Sequence, residues 1–236
     1  MMSAPAAVDP RTCALARLGA ATTRVAHELR NLLAGIDLAA AMLADQCADD
    51  PDLARLSAQL LLGVKRLGAV AGNVLTVGRP LALEAAPLDV TRLVAETLAA
   101  AAPAIRGASV HLRHRAPAHR VWVLGDADRL RQALLNLTIN AVQAMPDGGV
   151  LSVRTRVVVD LVEIAVSDTG IGMDRATRAR AFEPFFTTRA KGTGLGLAVV
   201  REIAEAHGAG VSLASRPGRG TTVRLRLPLA AQELLA

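Results

Sequence analysis

Aromatic side chains are scarce in this chain. There is no tyrosine, a single tryptophan (Trp122) and three phenylalanines, together 2% of 236 residues. So few flat side chains leave no stacking platform for bases, which argues against a nucleic-acid partner despite the net charge of +6. The 52% hydrophobic content is mostly alanine, leucine and valine, so the core must be aliphatic. Cysteine is nearly absent: Cys13 and Cys47 show no metal or redox spacing. Lysine is nearly absent too, only Lys65 and Lys191, and the positive charge is carried by scattered arginines. No run of eighteen apolar residues escapes a charge, since residues 60–78 include Lys65 and Arg66. The first residues lack the basic-then-apolar layout of a signal peptide. These absences predict a cytoplasmic protein without membrane insertion.

What is present begins with a seam. Leu15, Leu18, Thr22, Val25, Leu29, Leu32, Ile36, Ala39 and Leu43 alternate spacings of three and four, the mark of a helix with one buried stripe. His27 lies off that stripe, with Glu28 beside it and Asn31 one turn further on the same exposed face. A second stripe follows residues 48–52, a turn rich in aspartate: Leu53, Leu56, Leu60, Val64, Leu67, Val70, Val74 and Val77. Two such helices form a hairpin that cannot bury both seams alone. A homodimeric four-helix bundle is expected. A lone surface histidine is usually only solvated, so the case for His27 rests on what lies downstream.

After Gly78-Arg79-Pro80 the pattern changes. Helices over residues 90–102, 126–145 and up to His207 mix with strands over 109–113, 120–124, 150–158, 161–167, 210–215 and 221–227. Residues 168–192 read as irregular. The chain is therefore predicted as α+β: a disordered tail (1–11), a helical hairpin (12–79), a linker (80–87) and an α/β sandwich (88–236), with one mixed sheet and helices on one face.

Four segments of the sandwich carry chemistry. Asn136 and Asn140 are i and i+4, so their amides leave one helix face, and an amide oxygen suits a hydrated magnesium ion carrying phosphates. Asp168 ends an apolar strand before Gly170 and Gly172; it offers a carboxylate to an exocyclic amine such as that of adenine, and glycines admit a close approach. Phe182, Phe185 and Phe186 gather every phenylalanine of the chain into one loop and predict an apolar anchor for it. Gly192-Thr193-Gly194-Leu195-Gly196 opens a helix whose free N–H groups suit phosphate, with Arg189 and Lys191 beside it. No Gly-Lys-Ser/Thr follows, and the segment follows a loop rather than a strand, so it is neither a P-loop nor a dinucleotide turn.

In this order, over residues 12–228, these segments closely resemble the sensor histidine kinases of two-component systems. The stretch Asn136–Ala141 is similar to the family's N box, Asp168–Gly172 to its first glycine box, Phe182–Phe186 to its F box, Gly192–Gly196 to its second glycine box, and the His27 stretch to its H box. The resemblance implies the Bergerat ATP-binding fold shared with gyrase and MutL. Where those ATPases carry a water-activating glutamate this chain has Asn136, which favours transfer to protein over hydrolysis. It further implies ATP and Mg²⁺ as cofactors, His27 as phosphoryl acceptor, Glu28 as base, Asn31 in regulator dephosphorylation, and Asn140 as metal ligand. The partners implied are a second copy of the chain, the receiver domain of a separate response regulator and a separate sensor protein. Leu32 stands where the family often has proline. No recognisable sensory segment precedes Thr12, so the input is expected from a partner or a missing portion. The rival functions are a serine kinase on the same ATP fold, a non-catalytic phosphotransfer scaffold, and a basic coiled-coil binder. None of them needs both the His-Glu pair and intact glycine segments.

Overall fold

The apolar strands find each other by alternation. In Leu161–Asp168 the side chains of Val162, Ile164 and Val166 are buried, and between them Glu163, Ala165 and Ser167 point to the opposite face. The computed structural model of the chain describes residues 82–189 and 192–230, with the isolated helical positions Ile36, Leu53 and Leu56. The chain divides into two compact units, Met1–Arg79 and Pro80–Ala236. The expected tail, the hairpin with His27, Glu28 and Asn31, and Lys191 lie outside the described residues.

The second unit comprises β1 (Ala86–Asp89), α1 (Val90–Gly107), β2 (Val110–Arg115), β3 (Trp122–Gly125), α2 (Ala127–Gln143), β4 (Gly149–Val158), β5 (Leu161–Asp168), α3 (Arg175–Arg180), α4 (Gly196–Ala206), β6 (Gly210–Ser215) and β7 (Thr221–Pro228). Five strands form a mixed sheet in the order β2-β4-β5-β7-β6, with β2 parallel to β4 and the other neighbours antiparallel. The helices α1, α2 and α4 lie together on one face, with α2 touching both of the others. Leu93, Leu130, Leu151, Ile164, Ile203 and Leu225 fill the space between helices and sheet. This is the expected α+β sandwich.

Asp89 caps α1 by accepting from the N–H groups of Thr91 and Arg92 at 3.0 and 3.2 Å. Asp126 does the same for α2, at 3.1 Å from both Asp128 and Arg129. The backbone N–H of Asp126 donates to His207 Nε2 at 3.0 Å, while His207 Nδ1 lies 2.7 Å from the Ile203 carbonyl. Both contacts are satisfied by the neutral imidazole that carries its proton on Nδ1. A buried histidine thus ties the start of α2 to the end of α4.

Three expectations need correction. Residues 86–89 are strand, not wholly linker: β1 pairs with β3 in a separate two-stranded ribbon, and Pro87 is tolerated in so short an edge. The first helix does not stop before Pro103 but carries it and ends at Gly107, because Ala101 and Ile105 on either side are buried against the core. Within the stretch taken as irregular, Asp174 caps a short helix, α3, through the N–H of Thr177 at 2.7 Å.

The outer sheet face holds one buried acid. Glu163 sits between Arg156 of β4 and Arg226 of β7 in direct cross-strand register, with contacts of 2.7–2.9 Å. Burial alone would raise its pKa, but the hydrogen bonds and charges of the two arginines outweigh that and hold the carboxyl below its usual range. A depressed carboxyl contributes stability above the usual carboxylate range and loses it as pH falls through the folded value. Glu163→Gln is expected to cost about 1–2 kcal/mol at neutral pH, because half-exposed arginines are partly screened. Denaturation followed by Trp122 fluorescence should show that gap closing in acid; a gap that persists there assigns the cost to packing instead.

Candidate functional site

The C-terminal end of β5 and the start of β7 build the floor. Asp168 Oδ1 accepts from the backbone N–H of Gly170 at 2.9 Å and of Thr221 at 3.1 Å. No hydrogen bond to Oδ2 is made among the described residues, so that oxygen is the one left for a ligand donor. Burial pushes the Asp168 carboxyl up; the two backbone donors and the charge of Arg189 oppose that without cancelling it.

The glycines around Asp168 are required by backbone contact. A Cβ on Gly170 would collide with the Ala144 carbonyl at the end of α2, the same oxygen that accepts from Ile171 N–H at 3.0 Å. Gly220 has φ +77°, and a Cβ there would strike the Asp168 carbonyl. Ser215 Oγ ties this floor together: it accepts from Met173 N–H at 2.8 Å and lies 3.0 Å from the Gly220 carbonyl.

One wall is the outer face of α2. Asn136 Nδ2 donates to the Gly196 carbonyl at 3.5 Å, joining α2 to the first turn of α4. A Cβ on Gly196 would sit 3.0 Å from Asn140 Nδ2, so this glycine lets the two helices close on the amide. Arg189 reaches the same place: Nη2 donates to the Asn140 carbonyl at 3.0 Å, and Nη1 lies 3.5 Å from Asn140 Oδ1 and also bonds Gln143 Oε1. Burial pulls the Arg189 pKa down, and the Asp168 charge partly restores it.

The second wall is the start of α4. Leu195 stands at its N-cap without a side-chain cap, so the first N–H groups face outward unpaired by a side chain. Thr193 Oγ1 lies 3.5 Å from Leu195 N. Thr187 holds the turn before it by accepting from Arg189 N–H at 3.1 Å, and a Cβ on Gly192 would meet Thr187. Gly194, at φ +68°, packs on the backbone of Phe185.

The structure therefore brings Asn136, Asn140 and Arg189 on one wall against Gly192, Gly194 and Gly196 on the other, with Asp168 and Gly170 in the floor. Gly172, at φ +65°, instead abuts the Arg216 carbonyl and shapes the loop behind the floor. The expected phenylalanine anchor is only partly there. Phe186 lies under the Arg180 guanidinium at 4.2 Å and Phe182 is half-buried, but Phe185 is 67% exposed at φ +64°. Leu195, 1% exposed, is what fastens this region to the core. Gln143, Ser215, Gly220 and Thr221 were not expected. The sequence marks that neighbourhood only by two glycines, Gly218 and Gly220, whose positive φ the structure reveals.

For magnesium the donor set fits. Asn140 offers one neutral oxygen, Oδ1, held among the described residues only by a long 3.5 Å contact from Arg189 Nη1, and Mg²⁺ usually takes one or two protein oxygens and completes its shell with water and substrate phosphates.

Residues 125–231 match the family described as histidine kinase-, DNA gyrase B-, and HSP90-like ATPase. Over 215 residues, 91% of this chain, the sequence is 35% identical to the sensor histidine kinase ZraS of Escherichia coli, covering 46% of that protein. It is also 35% identical over 216 residues to the signal transduction histidine-protein kinase AtoS of Escherichia coli, covering 91% of this chain and 35% of AtoS. The crystal structure of full-length ShkA in complex with AMPPNP superposes with a TM-score of 0.71 at 26% identity, covering 89% of this chain and 46% of that one. The chain spans less than half the length of these two curated relatives.

Proposed function

We propose that the chain is a sensor histidine kinase, a reading supported by the ATPase family match at residues 125–231 and by the likeness to ZraS and AtoS, and that it phosphorylates its own His27 from ATP and passes the phosphoryl group to an aspartate of a separate response regulator. The observation that carries this is the convergence of Asp168, Asn140, Arg189 and the uncapped start of α4 on one cleft. The AMPPNP complex of ShkA supports ATP as the nucleotide.

In this mechanism Asp168 Oδ2 accepts a hydrogen bond from the adenine amine. Gly170 lets the chain turn tightly against the Ala144 carbonyl beside the base and Gly172 shapes the loop behind it, with Phe182 and Phe185 on the loop that covers it. The N–H groups from Gly192 to Gly196, with the Thr193 hydroxyl and Leu195 holding the turn, receive the phosphates. Asn140 would hold Mg²⁺, which when bound would neutralise phosphate charge, and Asn136 joins α2 to α4 beside it. Arg189 and Lys191 balance charge on the moving group. A ring nitrogen of neutral His27 attacks the γ-phosphorus, the bond to the β-phosphate oxygen breaks, and ADP leaves. Glu28 takes the proton from the other ring nitrogen. Asn31 orients water for the reverse task, dephosphorylating the regulator, which docks over Gly35, Asp37 and Ala40.

The protein acts as a homodimer in the cytoplasm. Ile36, Leu53 and Leu56 support the dimer, because all three are helical seam positions and stand 48%, 47% and 57% exposed in the single chain. No helix among the described residues is long and apolar enough to cross a membrane. Sensory input reaches the kinase through a further segment or a separate sensor.

Incubation with γ-labelled ATP tests the reaction class. The label is expected to survive alkali and be lost in acid, as a phosphoramidate is. An acid-stable label means serine or threonine phosphorylation and refutes the assignment.

A further inference from the structure

The sheet face turned away from the helices is organised in rows, because cross-strand partners share a face. Arg115, Arg154, Ala165 and Arg224 form one row across β2, β4, β5 and β7. Arg156, Glu163 and Arg226 form the next. Val158, Leu161 and Pro228 form the last, at the hairpin tip. Rows lie about 6.7 Å apart and strands about 4.8 Å apart, so neighbouring cations stand within one Debye length of each other.

Two features of this face are costly unless something covers it. Arg115 and Arg154 are direct cross-strand neighbours of like charge. Glu163 answers Arg156 and Arg226, but Arg115, Arg154 and Arg224 have no carboxylate partner among the described residues. Beyond the arginines the tip exposes apolar side chains, with one acid, Asp160, in the turn itself. The two-residue connection between β4 and β5 begins with Val159, which is 84% exposed at φ +55°. A β-branched residue in the left-handed region is strained, and hairpin turns usually place asparagine or glycine there. Val158, Leu161 and Leu229 around it are 37–39% exposed, and Leu229 N–H holds the tip through the Asp160 carbonyl at 2.9 Å.

We propose that this face lies on an anionic lipid surface, with the Val159 hairpin inserted at the headgroup boundary and the arginine rows against the phosphates. The layout favours lipid over nucleic acid. Exposed valine and leucine at the tip, with a net-positive pair of arginine rows behind them that outweighs Asp160 and Glu163, match a bilayer interface, where stable attachment takes two signals, an inserted apolar group and a basic patch. Nucleic acid would use the arginines but has no use for the strained valine, and the described face carries no aromatic for a base. The contact is peripheral: the sheet rests on the membrane and no element spans it. Asp168 lies at the far end of β5 from Leu161, so the nucleotide cleft stays clear of the lipid.

The test is flotation of the full chain with vesicles of phosphatidylcholine alone and of phosphatidylcholine mixed with phosphatidylserine. The chain is expected to float only with phosphatidylserine and to detach in high salt. Val159→Asn relieves the backbone strain, so it should unfold no more easily than wild type yet partition about tenfold less. Arg154→Glu with Arg224→Glu keeps the row intact, now pairing Arg115, and should lower partitioning by at least about tenfold. Absence of flotation with phosphatidylserine overturns the proposal, as does wild-type flotation by both variants. Duplex DNA binding that is abolished by the charge reversals but indifferent to Val159→Asn, without vesicle binding, assigns the face to nucleic acid and also overturns it.

Discussion

Asp168→Asn is expected to keep the fold and lose adenine nucleotide by about a hundredfold, roughly 2.7 kcal/mol of binding energy. The change is nearly isosteric, so the reason is orientation. Gly170 and Thr221 both donate to Oδ1. An asparagine keeps its oxygen on those two donors and turns its NH₂ toward the adenine amine, replacing a charged acceptor by a second donor. The free protein gains from the same change. Burial raises the Asp168 pKa in the folded state. A raised carboxyl contributes stability in its neutral form, present below the usual carboxylate range and lost as pH rises through the folded value. Asparagine resembles that neutral form, so the variant should be at least as stable as wild type at neutral pH. By the same sign, wild-type nucleotide affinity should fall as pH drops through the raised pKa, and the variant's weak affinity should stay flat. Calorimetric titration with ATP at several pH values checks both. Wild-type affinity in the folded variant removes Asp168 from the adenine site.

The contrast between what the sequence disclosed and what it hid follows from distance along the chain. Asn136 with Asn140, Asp168 with Gly170, and the glycines before α4 are local arrangements. Helix periodicity or a strand end places their partners within a few residues, so their chemistry was legible. Thr221, which donates to the Asp168 carboxylate, and Gly220, which abuts the Asp168 backbone carbonyl, both stand more than fifty residues from Asp168. They reach it only because β7 pairs with β5 in one particular register. Glu163 gave no signal as an ion-pair centre for the same reason: its two arginines arrive from β4 and β7. Composition misled at Phe185. Clustering of the only phenylalanines suggested a buried anchor, whereas a positive φ turns Phe185 outward and the aliphatic Leu195 takes the core position. β1 was hidden because four residues with a proline show no alternation; only pairing with β3 makes them a strand.

His27→Gln should bind ATP as wild type does and never become labelled, because a glutamine amide nitrogen is not nucleophilic. Alone, that loss would fit any essential residue on the hairpin, so the informative experiment pairs the two variants argued here. One chain keeps the whole nucleotide cleft and lacks the acceptor. The other, Asp168→Asn, keeps His27 and lacks the adenine contact. Within a dimer that exchanges subunits, a cleft that serves its neighbour's histidine restores labelling in the mixture, and the phosphate sits only on the Asp168→Asn chain. A cleft that serves its own histidine leaves the mixture unlabelled. Both outcomes keep His27 as the acceptor and decide which subunit feeds it, and co-purification of one chain through an affinity tag carried only by the other confirms that exchange took place. Phosphate on the His27→Gln chain itself sinks the assignment, since another side chain would then be accepting the γ-phosphoryl group.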